Sequence, residues 1–106
     1  MKYLKIYENF KFKEYVLIKI DVGKSQISPY YILHVSNEQD QDNESITYDK
    51  YYFYDYVNNN FLIPYNCKNG SSTMLLENLT ILMQTDTFEE CKEYLDLILK
   101  TEKYNL

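Results

Sequence analysis

The stretch TFEECKEYLDLILKTEKY, residues 87–104, carries apolar residues at the spacing of an α-helix. One stripe contains Phe88, Cys91, Leu95 and Ile98, and it is widened by Tyr94 and Leu99. Thr87 followed by Glu90 is a capping box, because the hydroxyl can accept from the third backbone N–H while the carboxylate reaches back to the cap. We therefore expect an amphipathic C-terminal helix over about residues 87–103, packed by its apolar stripe against a sheet.

The chain before this helix has the period of two that is typical of half-buried strands. YLKIYE (3–8) is a first predicted strand, and residues 8–13 are its expected hairpin turn. In EYVLIKIDV (14–22), Val16, Ile18 and Ile20 alternate with Leu17, Lys19 and Asp21. In YYILHVS (30–36), Tyr31, Leu33 and Val35 alternate with Tyr30, Ile32 and His34.

The region between these strands and the helix contains two breaks and a further strand. FLIPYN (61–66) includes Pro64, which favours an edge strand or an extended connection. CKNGSS (67–72) predicts a turn, since Asn-Gly supplies the positive φ that tight hairpins need. TMLLENLTILMQT (73–85) predicts the last strand, with Leu79, Ile81 and Met83 facing inward.

These elements predict an α+β fold in one domain over residues 1–106. Its mainly antiparallel sheet of four to six strands is packed by one C-terminal helix, as the short linking turns permit. The start has no signal-peptide pattern, and no apolar run approaches the roughly 20 residues of a membrane helix. We expect a cytoplasmic protein without membrane contact, in the host cell if a phage encodes it.

Tyrosine is abundant, with 13 in 106 residues, while alanine, arginine and tryptophan are absent. The excess of Lys, Asn, Ile and Tyr indicates an AT-rich genome, so codon bias accounts for part of the tyrosine content. The formal net charge is −5. Because base-stacking platforms normally lie in positive grooves, and Arg is the best residue for phosphate forks, direct nucleic-acid binding is not expected.

Catalytic and metal-binding signatures are weak. The only histidine, His34, lies in the middle of a predicted strand, and Cys91 lies on the apolar stripe of the helix. Cys67 precedes Lys68, but no oriented base is evident for it. A structural zinc site needs four clustered Cys or His ligands. We therefore expect a non-enzymatic protein with reduced cysteines, no cofactor and no metal.

The stretch YDKYYFYDYVNNN, residues 48–60, has two possible geometries. As a strand it places Tyr48, Lys50, Tyr52, Tyr54 and Tyr56 on one face, and Asp49, Tyr51, Phe53, Asp55 and Val57 on the other. As a helix it lines up Tyr48, Tyr51, Tyr52 and Tyr56. The aromatic content favours the strand. Either geometry puts aromatic residues on both faces, so we expect some to be exposed as an interaction surface.

An acidic segment precedes these tyrosines. Glu38, Asp40, Asp42 and Glu44 alternate, so an extended backbone would project them from one side about 6.6 Å apart. The alternative is a solvated loop with no binding role. Tyrosine is favoured at protein interfaces. The predicted partner-binding residues are Glu38, Asp40, Asp42, Glu44, Asp49, Tyr51, Tyr52, Tyr54, Asp55 and Tyr56.

The leading hypothesis is therefore a small acidic binding protein whose carboxylates occupy a site built for phosphates. Small acidic proteins of phages or mobile elements that inhibit a host defence nuclease, as anti-CRISPR proteins do, have this profile of size, charge and composition. The alternative is a structural or immunity-type module that pairs through a free sheet edge, as a homodimer in one form.

Overall fold

Antiparallel strands form most of the regular secondary structure in the described part of the chain. The structure is a computed structural model, and it describes residues 12–20, 29–36, 44–55, 58–61 and 64–104. A 3-10 turn, Leu76–Asn78, joins the last two strands, and helix α1 (Phe88–Tyr104) ends the fold. The strands are β1 (Tyr15–Ile20), β2 (Tyr30–Val35), β3 (Ser45–Asp55), β4 (Asn60–Phe61), β5 (Tyr65–Asn66), β6 (Ser72–Leu75) and β7 (Leu79–Thr85). The α+β prediction is confirmed, but the described residues form seven strands and not four to six, because short segments such as β4 and β5 pair along β3.

Strand β3 is the longest, at 11 residues, and both of its edges are paired. The order β4-β3-β2-β1-β7 places β2 on one edge of β3. Its other edge pairs with β6, β5 and β4 in turn, through Tyr48–Ser72, Tyr51–Tyr65 and Tyr54–Phe61. Pro64, which has no N–H to donate, lies between β4 and β5 and limits the pairing there, as its residue type predicts.

The predicted Asn-Gly turn is present, but it does not make a hairpin. The N–H of Gly70 donates to the carbonyl of Cys67 at 3.2 Å, and Gly70 has φ of 93°. The turn joins β5 to β6, which are successive segments along the same edge of β3. Asn59 also has a positive φ, 53°, in the connection from β3 to β4. Asparagine tolerates this region better than most residues, which gives the run of three asparagines a local structural role.

The two faces of the sheet bury different side chains, as the alternation in β1 and β2 predicts. Helix α1 packs over β1 and β7 and contributes Cys91 and Leu95 to the first layer. That layer also contains Leu17, Tyr30, Ile32 and Tyr54. The opposite face buries Val16, Ile18, Leu33 and Ile46, which are at most 1% exposed. Burial of this kind is worth roughly 1.5–3 kcal/mol for each large aliphatic side chain.

The segment predicted as one strand over residues 73–85 is divided in two by the 3-10 turn. Within β7 the pairing skips a residue, because Ile81 lies opposite Ile18 and Met83 lies opposite Leu17. This bulge turns Met83 toward the α1 layer, while Ile81 packs on the other face. The prediction that Leu79, Ile81 and Met83 share one face is therefore wrong, because one extra residue reverses a period of two.

Several predicted segments fall outside the described residues: the first strand (3–8), most of its turn and the acidic segment up to residue 43. Strand β1 is flanked by β2 and β7, so both of its edges are already paired. Among the helices of the described ranges, none is long and apolar enough to cross a membrane.

Helix α1 begins at the predicted capping box, with a different partner for the carboxylate. The N–H of Glu90 donates to Thr87 Oγ1 at 3.3 Å. The hydroxyls of Thr85 and Thr87 donate to Glu90 Oε1 at 2.7 and 2.8 Å. The Thr87 N–H, which the capping box assigned to Glu90, instead donates to Thr85 Oγ1 at 3.5 Å. Hydrogen bonds from Thr85 and then Thr87 lower the pKa of Glu90.

Candidate functional site

The tyrosine stretch is a strand, as predicted, but a β-bulge interrupts it at Asp49. Lys50 pairs with His34 and Tyr48 pairs with Val35, so Asp49 has no residue opposite it on β2. The bulge places Tyr48 on the same face as Tyr51, away from α1. The predicted sharing of a face by Tyr48, Tyr52 and Tyr54 is therefore wrong, because the extra residue reverses the alternation within β3.

The aromatic side chains on the α1 side belong to the core. Tyr54 is 3% exposed, with its ring 5.0 Å from that of Phe61. Tyr52 is half-buried, and its ring centroid lies 4.4 Å from that of Phe88. Phe88 also contacts Tyr15 and Phe61 in edge-to-face geometry. Of the predicted partner-binding tyrosines, Tyr54 is thus a core residue and Tyr52 is mainly a packing residue of the helix interface.

The aromatic side chains on the opposite face extend to the surface. The ring of Tyr51 contacts those of Tyr31 and Tyr48 edge to face, with centroids about 6 Å apart. Burial raises the pKa values of Tyr31 and Tyr48, so both phenols stay neutral. Tyr65 on β5 stacks on Tyr51 at 5.5 Å and is 55% exposed. The row of rings therefore begins in a buried layer and ends at an exposed ring.

Carboxylates lie at one end of the same edge. Glu44 is exposed immediately before β3, and its carbonyl accepts from the N–H of Leu76 at 2.9 Å. This bond places Leu76 beside the start of β3, and its two neighbours in the chain, Leu75 and Glu77, are both exposed, Leu75 to 47%. We call this surface the β3 rim, and it consists of Glu44, Tyr51, Tyr65, Leu75 and Glu77.

Of the other predicted acids, only Asp49 and Asp55 lie in the part of the chain that the structure describes, and both have partners within the fold. Glu38, Asp40 and Asp42 lie outside the described residues, as does Tyr56. The carboxylate of Asp55 accepts a hydrogen bond from Asn58 Nδ2 at 2.6 Å, in the connection to β4. Asp49 contacts His34, as described next. Of the predicted site residues that the structure describes, Glu44 and Tyr51 lie on the β3 rim.

The side chain of His34 on β2 contacts one carboxylate on β3 and another just before β1. Its Nδ1 lies 2.7 Å from Asp49 Oδ1 on β3, and its Nε2 lies 3.1 Å from Glu14 Oε2 just before β1. Both contacts are charge-assisted hydrogen bonds when the ring carries both protons. The ring also contacts Tyr15 edge to face at 5.0 Å. The β-bulge supplies this contact by directing Asp49 toward the histidine.

The two carboxylates occupy both ring nitrogens of His34. They therefore do not converge on one ion, and the described side chains contain no cluster of three metal-ligating residues. Cys67 is partly exposed, and its thiol donates weakly to the carbonyl of Tyr48 at 3.5 Å. Cys91 is 0% exposed, and burial raises its pKa to about 12. Neither thiol has a hydrogen bond to His34 within the ranges described.

The sequence did not predict the three residues of the β3 rim that lie outside β3 and its start, which are Tyr65, Leu75 and Glu77. Their exposure depends on β5 and β6 pairing along the outer edge of β3, which the period of two does not specify. The placement of Pro64 in an edge segment was the available signal, because an edge strand next to an aromatic strand exposes part of its own side chains. Pro64 thus predicted an edge strand, but it did not predict that Tyr65 stacks on Tyr51.

Comparisons with protein-family models, with curated proteins and with solved structures find no match to this chain.

Proposed function

We propose that this protein is a non-enzymatic binding protein that uses the β3 rim to occupy a basic, nucleic-acid-binding surface of another protein. In its specific form, the proposal is a phage or mobile-element inhibitor of a host defence nuclease, acting by acidic mimicry. The observation that carries the proposal is Tyr65, a ring 55% exposed and held in place by stacking on Tyr51.

A ring held in this way suits protein binding. Tyrosine brings a large contact area and a polar tip, and it loses little conformational entropy when bound. Part of that entropy is already lost here, because the β3–β5 pairing places Tyr65 opposite Tyr51 in the free protein. Preorganisation lowers the cost of binding, and exposed aromatic residues are enriched among binding hot spots.

Charge indicates the kind of partner. Glu44 and Glu77 are exposed on the rim, and the chain as a whole has a net charge of −5 with no arginine. Surfaces that bind nucleic acid are positive and contact both phosphates and base faces. Carboxylates take the place of phosphates on such a surface, and an exposed tyrosine ring takes the place of a base.

The size of the rim is compatible with this role. Glu44 and Tyr51 are seven residues apart, which corresponds to about 23 Å along an extended strand. The acidic residues 38–42 precede Glu44 in the chain and add to its charge. A standard protein–protein interface buries about 800 Å² on each side, a patch roughly 28 Å across, so one partner surface can reach both ends.

Affinity capture from the native host, followed by nucleic-acid competition, tests the proposal. Tagged protein should retain a nucleic-acid-binding protein identified by mass spectrometry, and the nucleic acid of that partner should displace it. Binding should weaken with added salt, because exposed charge pairs are screened. Retention of a partner that its own nucleic acid does not displace contradicts the mimicry.

Edge pairing is the second candidate function, and strand β7 favours it. The sequence LTILMQT contains no charged residue and no proline, and among the described strands only β1 pairs with it. Natural proteins usually protect such an edge with charges or proline. A homodimer that survives high salt and is lost in Ile81→Pro favours this function, whereas a salt-sensitive complex with a basic partner favours the first.

A further inference from the structure

The outward face of α1 carries apolar side chains that the monomer does not bury. Leu97 is 60% exposed and Tyr94 is 39% exposed, although Cys91 and Leu95 on the inner face are fully buried. Glu93, Lys100 and Thr101 surround Leu97 on this face at helical spacing. One large exposed aliphatic residue framed by charges of both signs is a small but ordered docking surface.

Acidic and basic residues lie toward opposite ends of the outward face of α1. Three exposed acids, Glu89, Glu93 and Asp96, precede or flank Leu97, and exposed Lys100 follows it. In the parts of the chain that are described, neither Glu93 nor Lys100 forms an ion pair. The face is therefore complementary to itself when one copy is reversed, because its acidic half then meets a basic residue.

We propose that a second copy of this chain docks on the outward face of α1, with the two helices antiparallel and related by a twofold axis at Leu97. Glu93 lies four residues before Leu97 and Lys100 lies three after it, about 6.0 and 4.5 Å along the helix axis. The twofold axis inverts this direction, so Glu93 and Lys100 of the other copy differ by only about 1.5 Å in height.

The helical rotation places these two residues on the same side of Leu97. Successive residues advance by about 100°, so Glu93 and Lys100 lie within about 20° of each other around the axis. Because the twofold axis is perpendicular to the antiparallel helices, residues on one side of Leu97 meet residues from that same side of Leu97 in the other copy. Two Glu93–Lys100 ion pairs therefore flank a central contact between the two Leu97 side chains.

Polar contacts complete the other side of the interface. Tyr94 lies three residues before Leu97 and Thr101 four after it, so the same inversion brings Tyr94 next to Thr101 of the other copy. The Thr101 hydroxyl already donates to the carbonyl of Leu97 at 3.0 Å. Its oxygen remains able to accept a hydrogen bond from the phenol of Tyr94.

The expected dimer is weak. A helix of 17 residues is about 26 Å long, and pairing through one face buries less than the roughly 1,200 Å² of a stable interface. We expect a dissociation constant on the order of 100 μM. The pairing uses neither Tyr65 nor Glu44, so it stands or falls independently of the function proposed for the β3 rim.

Sedimentation equilibrium up to about 1 mM protein tests the pairing. The wild type should approach a dimer, and Leu97→Asp should remain a monomer with unchanged far-UV circular dichroism. Glu93→Lys and Lys100→Glu should each weaken association at least tenfold, because each places like charges opposite one another. The double variant Glu93→Lys/Lys100→Glu should restore it.

Leu75→Asp is the matched control, because Leu75 is also an exposed leucine but lies on the β3 rim. It should leave the dimer unchanged. A wild type that stays monomeric over the whole concentration range overturns the proposal. A dimer that persists in Leu97→Asp, or a double variant that does not recover, also overturns it and indicates another interface such as the β7 edge.

Discussion

Tyr65 stacks on Tyr51 with the ring planes 20° apart, in a pairing between the two-residue strand β5 and the long strand β3. The inner ring packs on the buried layer of the sheet, while the outer ring is 55% exposed. The exposed ring of Tyr65 is thus held in place by the ring of Tyr51 and is not itself buried. Replacing Tyr65 should therefore affect binding more than stability.

Replacing Tyr65 should leave the fold almost intact. We expect Tyr65→Ala to lower the free energy of unfolding by about 1 kcal/mol, the value of an aromatic pair at a half-exposed site. Tyr54→Ala should cost about 3–5 kcal/mol, because it leaves a cavity beneath α1. Urea unfolding measures both variants. Equal losses would mean that Tyr65 is a structural residue and not a surface element.

The His34 contacts should differ in strength. Asp49 is the closer partner and is 37% exposed, whereas Glu14 is 54% exposed. In double-mutant cycles with His34→Gln, we expect a coupling of about 1–2 kcal/mol for Asp49→Asn and below about 0.5 kcal/mol for Glu14→Gln. Unfolding in urea gives both couplings, and a larger value for Glu14 is the result that the geometry forbids.

The two thiols should react at very different rates. Cys67 is partly exposed, whereas Cys91 is fully buried with a pKa of about 12. A thiol reagent such as DTNB should titrate one thiol in the native protein and both after unfolding. Cys67→Ser should remove the native-state reaction completely. Rapid modification of that variant without denaturant would show that the α1 layer opens readily.

Alkaline pH should destabilise the fold. The pKa of Cys91 rises from its ordinary 9.0 to about 12 in the native state, so the unfolded chain loses this proton first. The stability that the buried, neutral Cys91 thiol contributes is fully present below pH 9.0 and is lost as the pH rises toward about 12. Burial also raises the pKa values of Tyr15, Tyr31 and Tyr48, with the same sign. Urea midpoints against pH should therefore fall less steeply for Cys91→Ala than for the wild type.

Capping should matter at one end of α1 only. Thr87→Ala removes the hydroxyl that accepts from the Glu90 N–H and should cost about 1 kcal/mol. Thr101→Ala is the matched control, because that exposed hydroxyl only donates to the carbonyl of Leu97 within the helix. It should change the free energy of unfolding by less than about 0.5 kcal/mol. Thermal unfolding followed by circular dichroism compares the two.

Much of the fold could be predicted from sequence, because the relevant signals are local. The cap at Thr87, the alternation in β1 and β2 and most of the apolar stripe of α1 follow from the spacing of residues, although Tyr94, which was expected to widen that stripe, is 39% exposed on the outward face. The positions of the β-bulges, in contrast, do not follow from the spacing of residues along the chain. The extra residues at Asp49 and Leu82 are set by pairing with other strands, and each reverses the faces predicted beyond it.

The candidate site was less predictable for the same reason. Tyr54 and Tyr65 have the same side chain, yet one is buried and the other is exposed. The difference arises from what pairs with each strand and which face α1 covers, and neither is encoded in residue spacing. Among the predicted acids, Glu44 is exposed, and Asp49 and Asp55 contact His34 and Asn58.

The most direct test of the central claim is the affinity of the captured partner for two charge-matched variants. One replaces Glu38, Asp40, Asp42 and Glu44 with alanine. The other neutralises exposed acids near and on α1, as Asp86→Asn/Glu89→Gln/Glu93→Gln/Asp96→Asn. Both lose four negative charges, so only position distinguishes them. Binding through Glu44 of the β3 rim and the three acids that precede it in the chain predicts a loss of at least tenfold for the first variant and little change for the second; equal affinities would contradict it.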